Sequence, residues 1–588
     1  MSIKRVLEEL KRRRVFRVAA IYGVVGYGAV QVANNFFPTL NLPAWTTTFV
    51  AALVVLGFPV ALALAWAFDI TPAGLTRTEP VTTPTARSSP ARRIFMLWAA
   101  VAAVVLVYAA ALRFLPDLPS LRGEAGRRPA SIAVLPFENI GGDPENEYFS
   151  DGITEDVIAQ LTKLGDLKVI SRTSVMTYKD ASKPTRQIAD ELGVATILDG
   201  TVRRSEGRVR VVAQLVDARS DEQLWADTYD RDLRDIFAIQ SDISQRIARA
   251  LQTQLSTDDR ARLERRPTED LKAYDLYMRG RYFWNKRSSE GLQRAAEFFQ
   301  QAIARDSSFA LAFAGLADVY AILPSYQRQP PSDEHARARA AATRALAIDP
   351  QLGEAHAALG YVSWYEWDWD TADREFRQAI DFNPGYATAH QWYGLFLAAW
   401  NRVPDGEARM ARAAQLDPLS LIINAELGLV RFFARRYDDA IAQLHRTLEM
   451  DSTFGQAWAF LVPTYATAGH YDEALDAFLR FGALQGLPAE TAARARREFD
   501  VQPTRAKYYR LMLALGPGPE EGGAAVRASA HASLGDKEAA FKDLERAFQS
   551  KEALLALVAV IPEFDPLRDD PRFDALLRKM NLRKPTTP

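Results

Sequence analysis

Cysteine is absent from this 588-residue chain, and histidine occurs only six times. Without thiols there are no disulfides, thiolate metal sites or cysteine nucleophiles, and the chain is indifferent to an oxidising compartment. An excess of charge of one sign is also missing: 72 Lys and Arg stand against 73 Asp and Glu. Any electrostatic function is therefore local, and no nucleic-acid partner is expected. The histidines show no HExxH or other ligand spacing, and "GPGPEEGG" at 516–523 lacks the Lys-Ser/Thr of a phosphate loop. With no recognisable set of nucleophile, base and orienting group, no catalytic residue, cofactor or metal is expected. The length calls for several domains, because single hydrophobic cores stop growing near ~250 to 300 residues.

Charge is also missing locally. Between Arg17 and Asp69 there is no charged residue, and "FPTLNLPAW" divides this stretch into two apolar segments; a third uncharged run covers Ile94–Leu112. Helices of about 20 apolar residues cover a hydrocarbon core, so 1–115 is read as an α-helical transmembrane region of three spans. The basic opening "KRVLEELKRRRVFR" and Arg77, Arg87, Arg92 and Arg93 predict a cytoplasmic amino terminus and second loop. The expected localisation is then a multi-pass protein of the bacterial inner membrane with its soluble domains periplasmic. The reversed topology, with these domains facing the cytoplasm, is the alternative. The lipid bilayer is accordingly expected as a partner through three spans.

After a linker at 116–129, the pattern changes to short strands. "SIAVLPF" (131–137) and "LKVISR" (167–172) read as strands, each followed by a helix-period segment, and Gly193 is placed to stop the second helix. "ATILDGTVRR", "RVRVVAQLVDA" and "EQLWADTYDR" form a meander with Val209, Val211, Ala213 and Leu215 on one face. Ile236, Ile239, Ile243, Ile247 and Leu251 stripe a closing helix. The acidic loop Glu138, Asp143, Glu145, Glu147 and Asp151 lacks the order of a calcium loop and reads as a solvated connection near a helix start. In sequence, residues 130–255 resemble the TolB-like amino-terminal domain of bacterial membrane-anchored repeat proteins. That resemblance implies a small α/β domain. It also implies relatives that carry a cyclase or winged-helix domain, for which too few residues precede the first apolar segment here.

A linker at 256–267 leads to a 34-residue period. Leu359, Gly360, Ala372, Phe376, Ala379 and Pro384 are followed 34 residues on by Tyr393, Gly394, Gly406, Met410, Ala413 and Pro418, and then by Leu427, Gly428, Ala440 and Leu444. This is the spacing of tetratricopeptide (TPR) repeats, and it predicts an all-α TPR solenoid over 268–486. "SYQRQPPSD" is an insertion at an inter-helix turn. An irregular connector at 487–523 and a terminal TPR-like unit with cap at 524–588 complete the chain. His356 and His390 share one repeat position and read as scaffold; Asp370, Asp438 and Asp472 read as acids at helix starts.

The array is expected to bind protein or peptide partners. Tyr361, Trp364, Tyr365, Gln391, Leu395, Phe432 and Phe433 fall on first helices and form the candidate partner groove. The alternative for these aromatics is packing against a neighbouring repeat or the carboxy-terminal part of the array. The expected fold is thus multidomain: transmembrane helices, a TolB-like α/β domain and a TPR solenoid. The expected function is a non-enzymatic membrane scaffold or sensor. The alternative is an enzyme or enzyme-regulating signalling protein, cyclase-associated by family analogy.

Overall fold

The structure, a computed structural model, describes residues 130–582 apart from 141–145, 180, 182, 206, 252, 254, 328–332 and 519–522. Before residue 130 it describes scattered helical positions between 22 and 58 and two strands. The chain divides into two compact units, Met1–Gly123 and Glu124–Pro588. In the first, the Tyr22 hydroxyl donates to the Val54 carbonyl at 3.0 Å, and its ring centroid lies 5.7 Å from that of Phe58. Strands β1 (Phe68–Thr71) and β2 (Gly74–Arg77) pair antiparallel.

The expected localisation is corrected here. Most of the three apolar runs lies outside the described residues, and among the described residues no helix is long and apolar enough to cross a membrane. The end of the second run, at Phe68, is extended strand paired with Arg77. This overturns the expected inner-membrane placement with periplasmic domains and, with it, the bilayer as a partner through three spans.

The second unit opens with β3 (Ala130–Val134), whose residues Ser131 to Val134 are all buried. A strand covered on both faces loses its polar alternation and belongs inside a parallel pair. β3 indeed runs parallel to β5 (Leu167–Val169) and to β6 (Thr196–Ser205). Strands β7 (Arg208–Asp217) and β8 (Glu222–Asp232) continue antiparallel, giving the order β5-β3-β6-β7-β8, with β4 (Glu138–Asn139) beside the end of β6. Along β7 the residues Val209, Val211, Ala213 and Leu215 are buried on one face as their alternation dictates. Helix α1 (Glu147–Leu161) packs on β3, β4 and β5, while α2 (Arg172–Met176) and α3 (Thr185–Leu192) lie in the crossover from β5 to β6. Gly193 ends α3 at φ 63°, the left-handed conformation that favours glycine. Helix α4 (Ile236–Ala250) buries Ile236, Ile239, Ile243 and Ile247 against this layer.

From Leu271 the described chain is helical hairpins. The pairs are α6 (Leu271–Trp284) with α7 (Ser289–Arg305), α8 (Ala310–Gln327) with α9 (Glu334–Ile348), and α10 (Gly353–Tyr365) with α11 (Trp369–Phe382). Then follow α12 (Ala387–Ala399) with α13 (Val403–Leu416), α14 (Leu421–Phe433) with α15 (Tyr437–Met450), and α16 (Gly455–Ala468) with α17 (Tyr471–Leu484). The result is a TPR-like solenoid beside a small sheet. Two stretches without an apolar period are nonetheless helical. The expected linker at 256–267 contains α5 (Thr257–Glu264), started by a capping box between Ser256 and Asp259. The expected connector holds α18 (Ala489–Asp500) and α19 (Arg505–Leu515). The last pair, α20 (Ala524–Leu534) and α21 (Lys537–Gln549), leads through the short 3-10 turns Ala553–Leu557 and Pro562–Leu567 into α22 (Pro571–Lys579).

The sheet domain is bolted to the array at two places. Helix α1 lies on α6, where the Tyr148 hydroxyl donates to Asp275 at 2.6 Å and Glu155 accepts from Arg281 at 2.5 Å and Asn285 at 3.0 Å. Further along, Ser174 donates from both its backbone N–H (3.0 Å) and its hydroxyl (2.6 Å) to the buried Asp417, and Ser171 N–H donates to the Leu416 carbonyl at 2.7 Å. These bonds tie the sheet domain to the first helix of the array and to the turn after α13.

Candidate functional site

Six of the seven expected groove residues are buried. Trp364 is 0% exposed, Phe432 1% and Phe433 2%, with Tyr361, Gln391 and Leu395 below a tenth; Tyr365 is half-buried. Exposed aromatics were expected here, and burial overturns that part of the reading. Tyr361 packs at 4.7 Å from both Tyr365 and Trp392, while Trp364 lies 4.8 Å from Tyr365 and meets Phe396 edge-on at 6.2 Å. The Gln391 amide donates to Glu426 at 2.9 Å, and burial pushes that carboxyl up to about 7.

The aromatics at the ends of α10 and α14 share one core with Leu555, Val558, Val560, Ile561 and Phe564 from the carboxy-terminal segment. The turn Ala553–Leu557 packs on α10, and Pro562–Leu567 packs on α16. Polar atoms of the array grip the same segment. The Arg435 guanidinium donates to the Val560 carbonyl and to the Asp565 carboxylate, both at 2.8 Å. The Trp369 indole N–H donates to the Met580 carbonyl at 2.8 Å, and Asn581 reaches back to the Trp367 carbonyl at 3.4 Å. The packing alternative weighed from sequence therefore describes these side chains.

A second site lies where the sheet domain meets the array. A cavity of about 760 Å³ is lined by α1, α8, the start of α10 and the turn after α11. Asp318 of α8 and Asn383 are buried in its wall beside Glu354 and Tyr386. Burial pushes the Asp318 carboxyl up to about 7; Arg281 pulls it down and Glu354 pushes it further up. Asp156, hydrogen-bonded by Tyr274 and Gln240, is likewise raised to about 7, chiefly by burial. Sequence reasoning missed this site, although a signal was present: Asp318 is the one charged residue in the otherwise apolar run 310–323.

His356 and His390 are held within the array by their own hydrogen bonds. His356 places Nδ1 at 2.7 Å from Glu375 and Nε2 at 3.0 Å from the Pro350 carbonyl; His390 Nε2 lies 3.0 Å from the Pro384 carbonyl. Asp370, Asp438 and Asp472 stand in first turns of α11, α15 and α17, and the side chain that caps α11 is Asp368. Among the described residues no group of three His, Cys, Asp or Glu is disposed to hold a metal.

No protein-family model matches the chain. It is 34% identical over 287 residues to "Putative adenylate cyclase 3" of Rhizobium meliloti (strain 1021), a match covering 47% of this chain and 42% of that protein. The chain thus spans less than half the length of that relative. It is 27% identical over 186 residues to the type IV pilus assembly protein PilF of Pseudomonas aeruginosa, covering 30% of this chain and 73% of that protein. Among solved structures, TTC0263, a thermophilic TPR protein of Thermus thermophilus, is similar at 17% identity and a TM-score of 0.28, covering 36% of this chain and 98% of that one.

Proposed function

We propose that the chain is a non-enzymatic scaffold that presents a TolB-like α/β domain (130–255) and a TPR array (268–486) to protein or peptide partners. The strip Tyr361, Trp364, Tyr365, Gln391, Leu395, Phe432 and Phe433 is the partner surface when the carboxy-terminal segment is displaced. One observation carries this reading: the array already holds a polypeptide segment, its own, by side-chain bonds from Arg435 and Trp369 to main-chain carbonyls. Bonds to carbonyls recognise a backbone irrespective of sequence, while the aromatic pockets beside them select side chains.

The test uses a labelled peptide of sequence 553–567, offered to the wild-type chain and to Phe564→Ala, which loosens the resident segment. Fluorescence anisotropy should show binding to the variant at least about tenfold tighter than to the wild type, whose strip is occupied. Absence of binding to a variant of unchanged helicity sinks the reading. A second reading, an enzyme or regulator associated with a nucleotide cyclase, is favoured by the match to a protein named as an adenylate cyclase. Formation of cyclic AMP from ATP and Mg²⁺ by the purified chain would decide for it.

A further inference from the structure

Asp318 has 1% of its surface exposed and lies in the wall of the junction cavity. Neither of its oxygens has a hydrogen-bond donor. Two cations act on it, Arg281 and Arg287; Arg281 stops at 3.6 Å, an ion-pair distance, because its guanidinium is drawn to Glu155 at 2.5 Å. Arg172 is likewise held by Glu155, at 3.2 Å. In the same wall, Glu354 Oε2 and Asn383 Oδ1 have no donor, although Glu354 Oε1 accepts from the Asn383 amide at 2.9 Å. Residues of α8, α10 and the end of α11 thus bring to one cavity wall buried acceptor oxygens without the N–H or O–H groups that such acceptors require.

The chemistry of the wall selects what would enter. Anions are opposed by Asp318 and Glu354, and the guanidiniums that line the cavity are paired with carboxylates: Arg172 and Arg281 with Glu155, Arg262 with Asp259, Arg265 with Asp349 and Arg266 with Glu269. The donor set is poor for a metal ion, with two carboxylates and an amide oxygen from well-separated elements. Leu311, Ile348 and Phe382 line the same space and provide an apolar flank. A pocket of this size, with polar and charged walls and one apolar flank, suits a small polar organic ligand. We propose that the junction cavity binds a small organic molecule through a primary ammonium group, whose N–H donors bond to Asp318, Glu354 and Asn383 while its apolar body lies along Leu311, Ile348 and Phe382.

This site is independent of the peptide-binding strip, so its failure leaves that reading standing. The probes are n-hexylamine, hexyltrimethylammonium and hexanol, titrated calorimetrically into the full chain. Hexylamine should bind saturably and at least about tenfold more tightly than the trimethyl compound, which carries the charge without N–H donors, and than hexanol, which lacks the charge. Asp318→Asn and Glu354→Gln should each weaken hexylamine by about tenfold or more while leaving the circular dichroism unchanged. Equal binding of the three probes, or the absence of saturable binding because the cavity holds water only, overturns the proposal. Should either substitution unfold the chain, the comparison of the three probes on the wild type still decides.

Discussion

His356, His390, Asn424 and Trp458 stand 34 residues apart, and each places a side-chain nitrogen at 2.9 or 3.0 Å from the carbonyl six residues earlier, at Pro350, Pro384, Pro418 and Ser452. The turn between repeats leaves that carbonyl without a backbone partner, and imidazole, amide and indole serve it alike. The two histidines differ in what faces their other edge. His356 meets Glu375, whose carboxyl is raised by burial but held below its ordinary value by the His356 hydrogen bond. One repeat later the corresponding residue is Arg409. Burial drives the His390 imidazole down to about 4 from its ordinary 6.5; the bond to Pro384 opposes this, and Arg409 and Arg412 add to it. A depressed histidine takes its proton more readily in the unfolded chain, so its contribution to stability is complete above pH 6.5 and is lost as pH falls toward 4. His390→Asn supplies the same N–H without the titration. Its urea-unfolding free energy should therefore gain on the wild type by up to a few kcal/mol between pH 6.5 and 4. A difference between the two chains that does not change with pH would remove His390 from the acid response.

At the scale of elements, glycine decides how closely paired helices pack. A Cβ on Gly406 would meet the Gly394 carbonyl oxygen at 2.6 Å and the Ala398 nitrogen at 2.9 Å, both backbone atoms that cannot swing aside. At Gly428 the nearest atom belongs to the Leu444 side chain, at 2.8 Å, which can rotate. Gly406→Val should cost about 1 to 3 kcal/mol by overpacking, measured by chemical denaturation, and Gly428→Ala distinctly less. Equal costs would place the close crossing elsewhere. These contacts were legible in the sequence, because the 34-residue spacing names the small residues on facing helices. The apolar face of each first helix was legible as well. What covers that face was not: the pattern left Trp364 and Phe433 between a partner groove and internal packing, and Leu555 and Phe564, which join the same core, lie far along the chain with no local signal to link them. Asp318 failed differently, since a lone acid in an apolar helix was visible but only the fold brings Glu354 and Asn383 to it. The helices α5 and α18 were missed because short, strongly charged segments carry little apolar period, and α19 because its apolar residues crowd together from Tyr508 to Leu515 instead of recurring at helical spacing.

At the scale of the whole molecule, the segment after α21 returns to repeats far behind it. An open solenoid couples each repeat only to its neighbours and unfolds from its ends inward. Here Arg435, Trp367 and Trp369 tie α10, α11 and the turn after α14 to residues 560–581. Arg435→Ala should lower amide-exchange protection in α10 and α14 and in Pro562–Leu567 together, although α10 lies far from Arg435 in sequence. Loss of protection confined to residues next to 435 would show that the segment contributes nothing to the stability of the array.

The same return sets a schedule for the newly made chain. Translation proceeds at roughly 5 to 20 residues per second. Phe433 thus leaves the ribosome on the order of ten seconds before Phe564, the side chain that shares its core, has been made. For that interval the parts of α10 and α16 on which Ala553–Leu557 and Pro562–Leu567 later pack stand uncovered, and the nascent protein offers chaperones and neighbouring chains a surface that the finished one conceals.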